Sequence, residues 1–190
     1  MDIYQGLKNR RSIRKFKQTP LSKEQLRSYV DAARMAPSAA NMQPLKYIAV
    51  NSKEMGDRLF PLLKWAGYLA PQYNPKELER PTAYIVVCAD MNIRKNGYEA
   101  DMGAAVENII LSALEDGVGS CWIVSVERNK LRDLLRVSEN LEILCVVALG
   151  YPDESPIAVE MKNQDVKYYL ENGRLKVPKR SLDDVLVEII

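Results

Sequence analysis

The densest run of basic side chains is in RRSIRKF, residues 10–16, where Arg10, Arg11, Ser12, Arg14 and Lys15 fall within six positions. Guanidinium forks match the oxygens of a phosphate and a hydroxyl adds a further donor, so the segment fits phosphate recognition. The same pattern also fits a solvated basic face. A second pair, Lys179 and Arg180, would complete a phosphate pocket if the C-terminal segment folds back. The other chemical candidate is PSAANMQP, residues 37–44, in which Ser38, Asn41 and Gln43 carry donors and acceptors able to read a heterocyclic ring edge without ionising. Pro37 and Pro44 stiffen that loop, although as a plain connector its Ser and Asn would serve the turn backbone instead. From Gly119 to Val126 a strand end either presents backbone N–H groups to a ligand or is simply core. There is no GxGxxG or Walker-type glycine loop, which speaks against Rossmann and P-loop modes of holding phosphate.

The absences narrow the chemistry further. The chain has no histidine, which removes the commonest general base, the usual Ser-His and Cys-His nucleophile pairs and any imidazole-based zinc site. Cys88, Cys121 and Cys145 have neither CxxC spacing nor the density of a disulfide scaffold, and each sits in an apolar run, as expected of buried reduced thiols in a cytoplasmic protein. A net charge of +2 leaves no global field to steer nucleic acid or an anionic membrane to the surface. No apolar run approaches the ~20 residues of a membrane span, and the N-terminal apolar stretch is far shorter than a signal peptide requires. At 190 residues, 47% hydrophobic and 27% charged, the chain reads as one globular domain over 1–190.

The elements that must position these groups follow from periodicity. Residues 22–35 read as an amphipathic helix opened by a Ser22/Gln25 capping box and stopped at Pro37. LKYIAVN follows as a strand, and a weaker helix is expected over 53–63. Residues 64–81 form an irregular excursion whose Trp65, Tyr68 and Tyr73 either make a lid that stacks on a substrate ring or anchor the loop to the core. TAYIVVCAD and LEILCVVALGYP are continuous apolar runs, hence strands buried on both faces. Between them lie a long, widely apolar helix around 102–114, a strand in GSCWIVSV and a short helix in RNKLRDLLRV. Beyond Pro156 the chain is polar through Gly173, then ends in a basic pair, a short helix and an apolar Val-Glu-Ile-Ile expected to pack on a partner subunit. These elements predict an α+β fold with a central mixed sheet of four or five strands and helices on both faces.

RRSIRKF, APSAANMQP, DMGAAVENIILSALEDGVGSCWI, ALGYP and PKRSLDDVL occur together in the order and spacing of one family: the chain resembles the FMN-dependent nitroreductases. The resemblance covers nearly the whole chain, with 63–81 and 153–177 the least matched, and Leu45 stands where the family's loop is usually followed by a bulky aromatic. It implies a three-layer α/β/α sandwich with a largely antiparallel sheet, assembled as a homodimer with C-terminal exchange and FMN in a groove between the subunits. Arg10, Arg11, Ser12 and Arg14, with Lys179 and Arg180 nearby, would then hold the FMN phosphate and ribityl chain. Pro37, Ser38, Ala39, Asn41 and Gln43 would come from the partner, and the backbone of Ile123, Val124 and Ser125 would lie near the reactive flavin nitrogen. NADH or NADPH would reduce the flavin in a ping-pong cycle, and a nitroaromatic, quinone or other small acceptor would take the electrons. The cofactor would carry the redox chemistry, so no catalytic side chain is required and the lack of histidine has a physical explanation. Alternatives are a specialised chemistry of the family, such as dehalogenation, enone reduction or flavin fragmentation, and a flavin-binding module without turnover.

Overall fold

A computed structural model describes residues 2–190. The two continuous apolar runs become the inner strands of a four-stranded, wholly antiparallel sheet ordered β1-β2-β4-β3. These strands are β1 (Leu45–Val50), β2 (Ala83–Asp90), β3 (Gly119–Ile123) and β4 (Leu141–Gly150). Alternate side chains of the inner strands enter two separate cores. Ala83, Ile85 and Val87 with Cys145, Val147 and Leu149 face α2 (Lys23–Arg34) and α4 (Glu99–Glu115). Tyr84, Val86 and Cys88 with Ile143, Val146 and Ala148 face α3 (Lys53–Leu59), α5 (Arg128–Leu135) and the 60–73 excursion. A strand buried on both faces cannot alternate apolar with polar residues, which is why these two runs are apolar throughout.

The capping box at Ser22 and Gln25 is present, and α2 buries Leu26, Tyr29 and Ala33 on one face. Helix α4 buries Ala105, Val106, Ile109, Ile110 and Ala113, together with Asp101 in its first turn. Residues 156–179, which carry no clear periodicity in sequence, form a second small sheet of β5 (Ile157–Glu160), β6 (Tyr169–Glu171) and β7 (Arg174–Lys179), in which β5 and β7 are parallel. Short helices α1 (Ile3–Asn9) and α6 (Leu182–Val185) lie at the two ends. No helix among the described residues is long and apolar enough to cross a membrane.

The basic segment that follows α1 is held along the strand ends. Ile13 N–H donates to Ser120 O (2.8 Å), Lys17 N–H to Tyr151 O (2.8 Å) and Phe16 N–H to Glu79 O (2.9 Å). Ile13 and Phe16 point inward over Gly119 and Gly150, while Ser12 and Arg14 on either side of Ile13 are half-buried. A Cβ on Gly119 would lie 2.7 Å from Ile13 Cγ1 and 3.0 Å from Ile13 Cβ. Gly119→Ala is therefore expected to destabilise the fold by about 1–3 kcal/mol through overpacking. The same substitution should displace Ser12 and Arg14; unchanged urea unfolding together with unchanged anion affinity would remove this account.

All three cysteines are free and buried. Burial pushes the thiols of Cys88 and Cys121 up to about 11 and that of Cys145 up to about 12. The thiolate is the reactive form. The native protein at pH 8 is thus expected to ignore a chromogenic disulfide reagent and to release its three thiols only on unfolding; fast reaction of a folded thiol would contradict it.

Candidate functional site

The C-terminus of α1 delivers the basic side chains. Arg10 caps the helix, and its Nε lies 3.5 Å from Glu107 Oε1 on α4. Arg11 turns back on α1, its guanidinium donating to Lys8 O at 2.7 Å and to Arg10 O, and burial beside Arg10 lowers its pKa. Arg14 lies with its guanidinium 4.8 Å from the centroid of the Tyr168 ring. The backbone at this point is tied by Glu154, whose carboxylate accepts from Arg14 N–H, from Lys15 N–H at 3.1 Å and from Tyr73 Oη–H. Burial and that carboxylate together push the Tyr73 phenol well above its usual range.

Arg10 and Ser12 share a cleft of about 390 Å³ with Glu107, Ile110, Ser120, Trp122 and Val124. Two of the three segments singled out in the sequence therefore meet. Trp122 and Val124 give the cleft an apolar wall, being 37% and 52% exposed, while the Ile123 side chain between them enters the core and leaves only its backbone on this side. The turn after β3 is fixed from below: Arg128 donates to Val124 O (3.1 Å), Ile143 O (3.0 Å) and Leu144 O (2.9 Å). Lys64 N–H donates to Ser125 O at 3.1 Å, so the 62–64 segment braces the same turn.

The third segment stands apart. Pro37, Ser38 and Gln43 line a second pocket of about 220 Å³ with Tyr47, Asp101 and Ala105, and Ala39 and Asn41 lie exposed on the loop. Ala40, Asn41 and Gln43 have φ of 51°, 53° and 51°, all left-handed and none a glycine. Both pockets border α4, one at Asp101 and the other six residues on at Glu107, about 9 Å along the helix axis. Lys179 and Arg180 line neither; Arg180 donates to Gln164 at 2.7 Å beside the small sheet. Of the excursion aromatics, Trp65 and Tyr73 are buried in the core, Trp65 stacking on Phe60, whereas Tyr68 is 54% exposed against Tyr168. Tyr68 is thus the most open of the three, while Tyr73 borders a pocket with Lys15 and Glu154.

Four site residues went unread in the sequence. Asp101 had a signal, because a carboxylate falls on the buried stripe of α4, four residues before Ala105. Trp122 lay inside the strand end that was singled out. Glu107 on the open side of α4 and Glu154 in a turn carry no pattern that separates them from other surface acids.

With this geometry in view, the chain can be compared with known proteins. The sequence profile described as the nitroreductase family matches residues 7–151. A relative from Archaeoglobus fulgidus, provisionally named NADH dehydrogenase/NAD(P)H nitroreductase, is 37% identical over 152 residues, 76% of this chain and 82% of its own length. The solved structure of an FMN-dependent nitroreductase from Clostridium difficile R20291 is 31% identical, superposes with a TM-score of 0.66, and shares 88% of this chain and 97% of its own. A Parabacteroides distasonis structure, also provisionally named NADH dehydrogenase/NAD(P)H nitroreductase, superposes with a TM-score of 0.70 at 26% identity over 91% of this chain and 99% of its own. Profile, sequence and fold agree that the chain belongs to the nitroreductase family.

Proposed function

We propose that the protein is an FMN-dependent NAD(P)H oxidoreductase that reduces nitroaromatics, quinones or similar small acceptors, working as a homodimer with the flavin between the subunits. One observation carries the reading: the Nε atoms of Arg10, Arg11 and Arg14 are buried and make no hydrogen bond, Arg10 Nε having only a 3.5 Å ionic contact to Glu107. Arg10 beside the Ser12 hydroxyl in one cleft, with Arg11 and Arg14 on the same segment, forms a donor set suited to a phosphate. The residues present therefore fit the phosphate end of FMN. Bound there, FMN would supply the redox chemistry between NAD(P)H and the acceptor.

The chain's own residues do the positioning. Arg10, Ser12 and Arg14 hold the phosphate and ribityl chain, with Arg11 supporting them through the end of α1. Trp122 and Val124 exclude water from one wall, and the backbone of Ile123–Ser125 is braced by Arg128 and Lys64 to face the ring. The loop bearing Pro37, Ser38, Ala39, Asn41 and Gln43 is set apart from the Arg10 cleft of its own chain, which suits service to a second subunit. An apolar surface also favours a dimer. Ile3, Tyr4 and Leu7 of α1 and Val187, Ile189 and Ile190 of the tail are all exposed, the last three almost fully. Lys179 and Arg180, on the segment leading to that tail, join the phosphate site on this reading.

The visible absorption spectrum tests it. Protein soaked with FMN should retain oxidised-flavin bands that bleach on anaerobic addition of NADH or NADPH and return with a nitroaromatic or quinone. Retained flavin that no nicotinamide bleaches would leave a flavin-binding module without turnover, and protein that ignores FMN would sink the reading altogether.

A further inference from the structure

The loop at 37–43 has a shape that its own residues do not favour. Three non-glycine residues in the left-handed region persist only where the surroundings over-determine them. The prolines at 37 and 44 restrict the ends, and two backbone bonds, Asn41 N–H to Ser38 O (2.8 Å) and Met42 N–H to Ala39 O (3.2 Å), tighten the middle. The remaining tie comes from outside the loop. Asp101 Oδ2 accepts from Ser38 Oγ–H at 2.5 Å and its Oδ1 accepts from Ala39 N–H at 3.2 Å. Ser38 Oγ in turn accepts from Gln43 N–H at 2.9 Å, so one carboxylate reaches both ends of the loop through a single hydroxyl.

This carboxylate sits in an unusual place. Asp101 is only 4% exposed, in the first turn of α4, with Arg94 Nη1 at 3.8 Å as its cation. Burying a charge is costly unless it is paired and hydrogen-bonded, and an apolar residue on this stripe would serve packing as well. What the charge fixes is the loop: Asn41 and Gln43 are exposed, linked by Gln43 Nε2 donating to Asn41 O at 3.2 Å. Six residues along the same rigid helix, Glu107 meets Arg10. One helix thus sets the spacing of both half-sites.

We propose that Asp101 is a positioning residue for flavin binding: through Ser38 it holds the 37–43 loop in the conformation that reads the flavin bound by the partner subunit's basic segment. The inference rests on the shared-site reading above, and its test separates the two. Asp101→Ala is expected to raise the FMN Kd about ten- to a hundredfold, the loss typical of a hydrogen bond to a charged group. Ser38→Ala breaks the same tie without leaving Arg94 unpaired and should weaken binding in the same direction.

The decisive experiment uses mixed dimers of differently tagged full-length chains, with FMN titrated and the sites of wild-type affinity counted per dimer. Arg10→Ala/Arg14→Ala disables the basic segment of one chain. With Asp101→Ala on the opposite chain, one intact site remains and one flavin per dimer is expected; with all three substitutions on the same chain, none is. The reverse pattern would uphold the role of Asp101 while overturning the partner assignment, because the loop would then serve its own chain. One flavin in both pairings, or single-variant affinities equal to wild type, would show that Asp101 does not position the loop. No flavin in either pairing would show that Asp101 merely supports the fold, since the chain carrying Asp101→Ala must still offer a working basic segment. That outcome too overturns the proposal.

Discussion

Replacing Arg10 and Arg14 together by alanine is expected to weaken FMN binding by about 10²- to 10⁴-fold while the protein stays folded. Hydrogen bonds to charged groups are worth roughly 1.5–3 kcal/mol each, so two lost guanidinium contacts amount to about 3–6 kcal/mol of affinity. The fold should tolerate the change. Arg10 and Arg14 are half-buried, and their Nε atoms have no hydrogen bond to lose. Arg14 gives up its place over Tyr168, an interaction of roughly 0.5–1 kcal/mol, and Arg10 releases a 3.5 Å contact to Glu107. The segment itself remains pinned by the backbone bonds of Ile13, Phe16 and Lys17. Fluorescence titration of FMN, with circular dichroism and gel filtration beside it, checks the result. Arg14→Lys is informative because it keeps the charge and loses the planar fork; its affinity should fall between wild type and Arg14→Ala. Wild-type retention of flavin by the double variant would refute the phosphate assignment.

The part of this site that sequence made legible is the part governed by residue type at close spacing. Three arginines and a serine in five positions, and a loop of amides and a hydroxyl between two prolines, stand out by residue type whatever the fold does with them, although a solvated face and a plain turn fit the same residues. The inner strands were equally plain, because a strand covered on both faces must be apolar throughout, and α2 carried its own start signal at Ser22 and Gln25. The small sheet was harder for a physical reason. All three residues of β6 are exposed, and β5 alternates only half-buried with exposed positions, so neither displays the period-two contrast of a strand over a core. A local signal existed nonetheless: Asn172 and Gly173, at φ of 51° and 75°, make the two-residue hairpin turn that an Asn-Gly pair favours. Longer-range outcomes were not written locally. Trp65 and Tyr73 carry the same side chains whether they form a lid or fill a core, and only the packing against Phe60, Leu59 and Leu175 decides. Asp101 matters through a loop some sixty residues earlier in the chain, a distance no periodicity spans.

A steep loss of stability on the alkaline side of pH 9 is the second large effect expected. Among the described residues eight acids, seven of them buried and Tyr47 half-buried, are held neutral by the fold. Cys88 and Cys121 are pushed up to about 11 and Cys145 to about 12, mainly by burial. Tyr47 is raised to about 12 by burial, and Tyr98 to about 12, chiefly by donating to Glu142 at 2.5 Å. Burial raises Tyr29, Tyr73 and Tyr84 further still, with carboxylate acceptors at Asp116 and Glu154 adding to the first two. The sign follows from linkage. Each folded value lies above its unfolded value of 9.0 or 10.0, so above pH 9 the folded state binds more protons than the unfolded chain. Their contribution is complete below pH 9 and disappears as the pH climbs toward 11 to 12. At one pKa unit per 1.36 kcal/mol, each thiol has given up about 2 kcal/mol by pH 11, and the tyrosines add to that. Against the roughly 5–15 kcal/mol that holds a typical domain together, the sum is enough to unfold the protein near that pH. Urea midpoints measured under reducing conditions should be level to pH 9 and fall steeply beyond it. Thiolate absorbance near 240 nm and tyrosinate absorbance near 295 nm should lag in the folded protein, then rise together as it unfolds. A smooth rise of the thiolate signal centred on pH 9, with the protein still folded, would mean that the thiols are reached by water and that the two cores are less closed than the packing around β2 and β4 implies.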